Sequence, residues 1–168
     1  MILATHAIVG AAVGRLFPAH PIAAFAAGVI SHFILDSIPH YDYHLRSVSK
    51  NKENRMHDDM VFSRHFARDI LVIGFDGAVG AALALYFLYD FNQSWYYFVS
   101  LTAGFCGGII PDALQFAYWK IRREPFVSLQ KFHLAIHAKS NYNDYPVFGM
   151  MCQIGMVAVV IAATNMVQ

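Results

Sequence analysis

Charge is scarce in this chain. Asp, Glu, Lys and Arg make up 14% of its 168 residues, and the formal net charge is +1. A soluble domain carries about 25% charged residues. A near-neutral chain offers no strongly basic face, which argues against a nucleic-acid partner. Cysteine is nearly absent as well. Cys106 and Cys152 both sit in apolar stretches, so they read as small buried hydrophobes and not as a disulfide framework. Ahead of the first apolar run there is no basic stretch of the kind that opens a secretory signal, so MILATHAIVGAAVG is expected to belong to the mature fold.

Apolar residues are what the chain has in excess, at 57%. They gather into five segments, roughly 1–17, 20–38, 67–89, 95–119 and 145–167. The last three match the ~20 residues needed to cross a hydrocarbon core. Pro18 and Pro21 separate the first two, and the first is short. None of the five has one polar face, which a small soluble bundle would require. The expectation is an all-α integral membrane bundle of four or five apolar helices with two polar loops, residues 1–168 forming one domain. Gly10 with Gly14, and Gly104 with Gly108, repeat the small-residue spacing used for close helix packing in lipid.

Arg46, Lys50, Lys52, Arg55 and Arg64 lie in the segment 39–66, and Lys120, Arg122, Arg123, Lys131 and Lys139 in 120–144. The short link Asp90–Ser94 has no Lys or Arg. Basic loops stay cytoplasmic, so both long loops are expected inside and the short link outside. Alternation then puts the N-terminus inside and the turn at 15–20 outside.

That topology collects the titratable residues at one end. Nine histidines are present, and SHFILDSIPHYDYH alone, from Ser31 to His44, holds three of them and two aspartates. Imidazole and carboxylate together are the ligand set of a catalytic divalent metal. His32 and Asp36 are four residues apart, on one helix face, with Pro39 ending that helix near Ser37. His133 and His137 repeat the spacing in FHLAIH, without the glutamate of a zincin helix. Asp112 is a lone carboxylate in GGIIPDALQF, and His6 a lone imidazole in THAIVG; both are costly in an apolar run unless partnered. The alternatives are a helix cap for Asp112 and a hydrogen-bonded core histidine for His6. His40, His65 and Asp69 are further candidates as ligands or as groups that orient them. Asp76 or Asp42 would accept a proton. Arg64, Arg122 or Arg123 would hold a phosphate.

With Thr5-His6, Pro111-Asp112 and the pair His133 and His137, the chain resembles the membrane-bound metal-dependent hydrolase family, described as LexA-regulated inner-membrane proteins. More distantly it is similar to the zinc-dependent phospholipase C and P1 nuclease group. The resemblance implies a cluster of divalent ions and cleavage of phosphoesters. It departs from the family's Pro-Asp-x-Asp-His at Ala113-Leu114-Gln115.

The expected protein is therefore a multi-pass, bacterial-type inner-membrane hydrolase with its site facing the cytoplasm. Its metal would be bound by His6, His32, Asp36, Asp112, His133 and His137. Six ligands suit two ions, zinc or else manganese, and a phosphate-containing lipid or lipid-linked substrate drawn from the membrane. A metal transporter or sensor would instead need ligands through the depth of the bilayer. A non-catalytic scaffold would bind no metal, or bind it with no open position.

Overall fold

A computed structural model describes residues 1–51 and 53–167; Lys52, one of the basic loop residues, lies outside the described residues. The fold is helical apart from one two-residue strand pair. In chain order it has α1 (Leu3–Gly14), α2 (Pro21–Asp36), β1 (Val48–Ser49), β2 (Asp59–Met60), α3 (Phe66–Leu88), α4 (Trp95–Ile121), α5 (Phe126–Ile136) and α6 (Pro146–Val167). β1 and β2 pair antiparallel, Val48 opposite Met60.

Three helices, α3, α4 and α6, are long and apolar enough to cross a membrane. The expectation of four or five spans is reduced by α1 and α2, which have 12 and 16 residues. Both fall short of the ~20 residues a span needs. The cause is the break at 15–20. Pro21 starts α2 as its first helical residue, where a missing N–H is harmless.

α1 is the hub. It packs against α2, α3, α4 and α6, and Thr5 through Ala12 are all buried. Its close neighbours are built from glycine. A Cβ on Gly10 would stand 2.5 Å from the Gly104 carbonyl oxygen, and one on Gly14 would stand 2.7 Å from Gly104 Cα. A Cβ on Gly28 of α2 would strike the same Gly104 carbonyl. The two small-residue pairs noted in the sequence thus face each other across α1 and α4, with α2 on the same ridge.

One end of the bundle is closed by the two polar loops. The Tyr118 hydroxyl and Arg122 Nη1 each donate to the Met56 carbonyl at 2.7 Å, and Arg122 Nη2 donates to Asp58 O at 2.8 Å. Lys120 pairs with Asp59 at 2.8 Å. The loops therefore lie on the same side, as their charge implied. At the opposite end Arg15 donates to Thr164 Oγ1 at 2.7 Å and also to Asn165.

Gln153, buried in α6, ties three elements to one another. It accepts from Ile2 N–H at 3.3 Å and the Thr5 hydroxyl at 3.1 Å, and donates to the Tyr41 carbonyl at 3.0 Å. Asp76 of α3 does similar work. Its Oδ2 accepts from Ala4 N–H at 2.8 Å and from the Tyr43 hydroxyl. A carboxylate on the first free N–H groups of α1 satisfies orphan donors and complements the helix dipole. Asp76→Ala is expected to lower stability by about 1–3 kcal/mol through this lost cap and its stranded donors. Thermal unfolding in detergent measures it, and an unchanged midpoint would remove the capping role.

Candidate metal centre

Eight of the residues singled out in the sequence converge at the loop-covered end of α1: His6, His32, Asp36, His40, Asp42, Asp112, His133 and His137. Asp36 is their centre. It is buried at 1% exposure, and its two oxygens face different partners. Oδ2 lies 2.8 Å from His133 Nε2 and 3.2 Å from His32 Nε2. Oδ1 lies 3.1 Å from His6 Nε2 and 3.9 Å from His40 Nε2. Two sets of side chains have ligand atoms mutually within 4.8 Å and could hold a metal ion: His32, Asp36, Asp112 and His133, and Asp36, His40 and His137. Asp36 is common to both.

Local structure explains the convergence. His32 and Asp36 share a face of α2, and the helix stops at Asp36 as Pro39 requires. The chain then turns back and carries His40 towards the carboxylate. The Asp36 carbonyl, an orphan at the helix end, accepts from Ala138 N–H at 2.7 Å, and the His40 carbonyl accepts from Tyr142 N–H at 2.9 Å. These two bonds register the end of α5, with His133 and His137, against the end of α2. Asp112 comes from α4. It was expected near the end of its segment, or as a helix cap. It lies instead inside a helix that runs through Pro111 to Ile121. It is 32% exposed and 3.8 Å from His32 Nε2.

The ring orientations suit ligation. His32 Nδ1 contacts the Gly108 carbonyl at 2.8 Å, and His40 Nδ1 contacts Ile38 O at 2.7 Å. A carbonyl on Nδ1 makes that nitrogen the donor and leaves the Nε2 lone pair facing the site, the usual arrangement behind a metal-bound imidazole. His6 stacks on His32 with ring centroids 3.9 Å apart. His6 Nε2, His32 Nε2, His40 Nε2 and Asp36 Oδ1 are all buried, and none makes a well-aligned hydrogen bond among the described residues. Buried polar atoms of that kind are expensive without a partner, and a cation between the imidazoles and the carboxylate supplies one. The residues fit a divalent metal.

Outside both sets, Asp42 lies 3.2 Å from His40 Nε2 and 2.7 Å from the Met1 amine. Burial pushes its carboxyl pKa up, but the His40 contact and the amine outweigh that and hold it below the usual range. Burial lowers the His137 pKa, which favours the neutral, ligating form.

The six other candidates, Asp69, His65, Arg64, Arg122, Arg123 and Asp76, are placed elsewhere. Asp69 accepts from Ser47 N–H and Oγ, both at 2.7 Å, and pairs with Arg68 at 2.7 Å. His65 precedes α3 and meets Arg64 Nε at 3.2 Å. Arg122 binds loop carbonyls, as described above, and Arg123 is exposed. Asp76, read from the sequence as a proton acceptor, belongs to the α1 cap and Tyr43 instead, and Asp42 is the carboxylate beside the cluster. Sequence reasoning missed the carbonyl behind His32 and the polar anchor Gln153. A glutamine in an apolar helix is a visible signal for the second; no residue type announces the first. No family model, curated protein or solved structure matches this chain.

Proposed function

We propose that this protein is a membrane-embedded, metal-dependent hydrolase that cleaves a phosphoester of a lipid or lipid-linked substrate at the cytoplasmic face of a bacterial-type inner membrane. The observation that carries the reading is Asp36, a buried carboxylate shared by two sets of histidines, with the Nε2 atoms of His32, His133 and His40 within 3.9 Å of its oxygens. A carboxylate common to two ligand sets suits two ions, with zinc the first choice for histidine and carboxylate donors. When bound, such a pair makes bound water acidic and neutralises charge on the phosphoryl oxygens.

The side chains supply the rest. His32, His133, Asp112 and Asp36 complete four donors for one position. His40, His137 and Asp36 give three at the other, which leaves room for a substrate oxygen, and His6 and Asp42 flank it. Asp42, 3.2 Å from His40 Nε2, would be the carboxylate beside that second position. The charge of the two loops favours the cytoplasmic side. Ligands gathered at one end of the bundle, and not along its depth, favour hydrolysis over metal transport. The likeness to the membrane-bound metal-dependent hydrolase family, carried by His6, Asp112, His133 and His137, agrees with this reading.

Metal analysis of the purified protein tests it first. Near-stoichiometric zinc or manganese is expected, and its absence would leave a non-catalytic scaffold. His32→Ala and Asp112→Ala are then expected to lose phosphodiester hydrolysis by on the order of 10²-fold or more while still inserting. Undiminished turnover in both variants overturns the catalytic role.

A further inference from the structure

A narrow apolar groove runs between α2, α4 and α5 and ends at the metal cluster. Phe25 and Val29 of α2, Leu114 of α4 and Leu129 of α5 form its walls, and His133 and Pro111 lie at its inner end. His133 is 2.8 Å from Asp36, and Pro111 immediately precedes Asp112. The groove is thus continuous with the ligands of one metal position. Its volume is about 190 Å³, below the roughly 300–1,000 Å³ of sites that enclose a compact small molecule. That volume suits a stretch of one flexible chain. Phe25 and Leu129 are 39% and 40% exposed, and Ile22 and Ile30 on α2 are more exposed still. Apolar residues at that exposure on an apolar helix meet lipid, so the groove opens sideways.

One polar group stands in the wall. Gln130 is 2% exposed, and its Oε1 has no hydrogen-bond partner among the described residues. It sits one turn before His133 on α5, on the same face. A buried amide oxygen left unmatched is rare. It marks the point where an otherwise hydrocarbon ligand would carry a donor close to its phosphate.

We propose that this groove holds one hydrocarbon chain of the phosphoester substrate, with a hydroxyl or amide N–H of the head group donating to Gln130 Oε1 and the phosphate at the cluster. The inference rests on the hydrolase reading, and names its substrate class: a phosphoester with a long alkyl chain and a donor a few bonds from the phosphorus.

The test uses the full chain in lipid nanodiscs with zinc. The probe is a glycerol-based alkyl phosphodiester carrying a diazirine in mid-chain. Photolabelling is expected on the peptides that contain Phe25, Val29, Leu114 and Leu129. Leu114→Trp fills the groove and displaces about two methylenes of chain, so labelling falls about tenfold, while bound zinc stays at the wild-type level. EDTA is expected to abolish the groove labels, because the phosphate anchor is lost. Labels spread over the exposed faces of α3 and α6 would overturn the proposal. So would groove labels indifferent to EDTA, which would make the occupant an ordinary bilayer lipid. Zinc-dependent groove labelling without turnover of any phosphodiester would sink the hydrolase reading and keep the chain site. Hydrolysis of a chain-free phosphodiester with an unlabelled groove would do the reverse.

Discussion

Asp36→Asn is expected to remove metal from both positions together. The substitution keeps the shape of the side chain and removes the charge that the two ligand sets share. Oδ2 serves the His32 and His133 side, and Oδ1 faces His6 and His40. No other carboxylate among the described residues is common to both sets. Loss of the shared anion leaves one set with two imidazoles and Asp112, and the other with two imidazoles alone. Charge stabilisation worth several kcal/mol at a phosphoryl group goes with the ions, so turnover should fall on the order of 10³-fold. His40→Ala is the informative contrast. It touches one set only, so metal content should drop to about half, with the His32 position still filled. Elemental analysis of the two purified variants reads this directly. If Asp36→Asn loses no more metal than His40→Ala, the carboxylate is not shared.

The second large effect concerns a place with no chemistry at all. Gly104→Val is expected to prevent assembly of the bundle, or to lower its thermal midpoint by about 6–12 °C. A Cβ at 104 would run into the Gly10 carbonyl and come within 2.6 Å of Gly14 Cα. Both are backbone atoms, which no rotamer change can move. The helices must separate, and packing is lost along α1, α2 and α4 together. Overpacking of this kind costs about 1–3 kcal/mol, or more where the backbone cannot yield. In a protein of this size each kcal/mol shifts the midpoint by about 2–4 °C. The shift should carry metal binding with it, because Gly108 abuts the His6 carbonyl one turn away. Gly155→Ala is the control. Nothing lies within 4 Å of a Cβ there, so α6 should gain about 0.5–1 kcal/mol of helix preference. Equal behaviour of the two variants would mean that α1 and α4 do not approach as described.

The helices were legible in the sequence because apolar runs and prolines are local signals. The five segments fall on α1, α2, α3, α4 and α6, and the break at 15–20 contains Pro18 and ends where Pro21 opens α2. What the runs concealed was length in space: two segments shortened to 12 and 16 residues and did not reach the length of a span. The histidine and aspartate cluster was legible for a different reason. His6, His32, Asp36, Asp112, His133 and His137 are each costly in apolar surroundings, and loop charge put all of them at one end. Two acids sit apart from that cluster. Asp69 pairs with its neighbour Arg68, but it and Asp76 are also engaged by Ser47 and Tyr43, which arrive from 22 and 33 residues away. Tertiary hydrogen bonds of that kind leave no periodic trace. The amphipathic α5 was hidden too, because a polar loop with two histidines at helical spacing does not declare where it turns.

The central position of α1 has a consequence for biogenesis. The ribosome makes α1 before each of the helices that enclose it, and α6 comes last among them. Twelve residues are too few to hold a transmembrane position unaided, and helices in lipid associate only once their partners are present. The opening helix must therefore wait at the bilayer surface, or within an insertase, until the remainder of the chain has been delivered. Among the described elements α6 is the last wall to arrive, and its Gln153 then fixes the start of α1, the helix that carries His6.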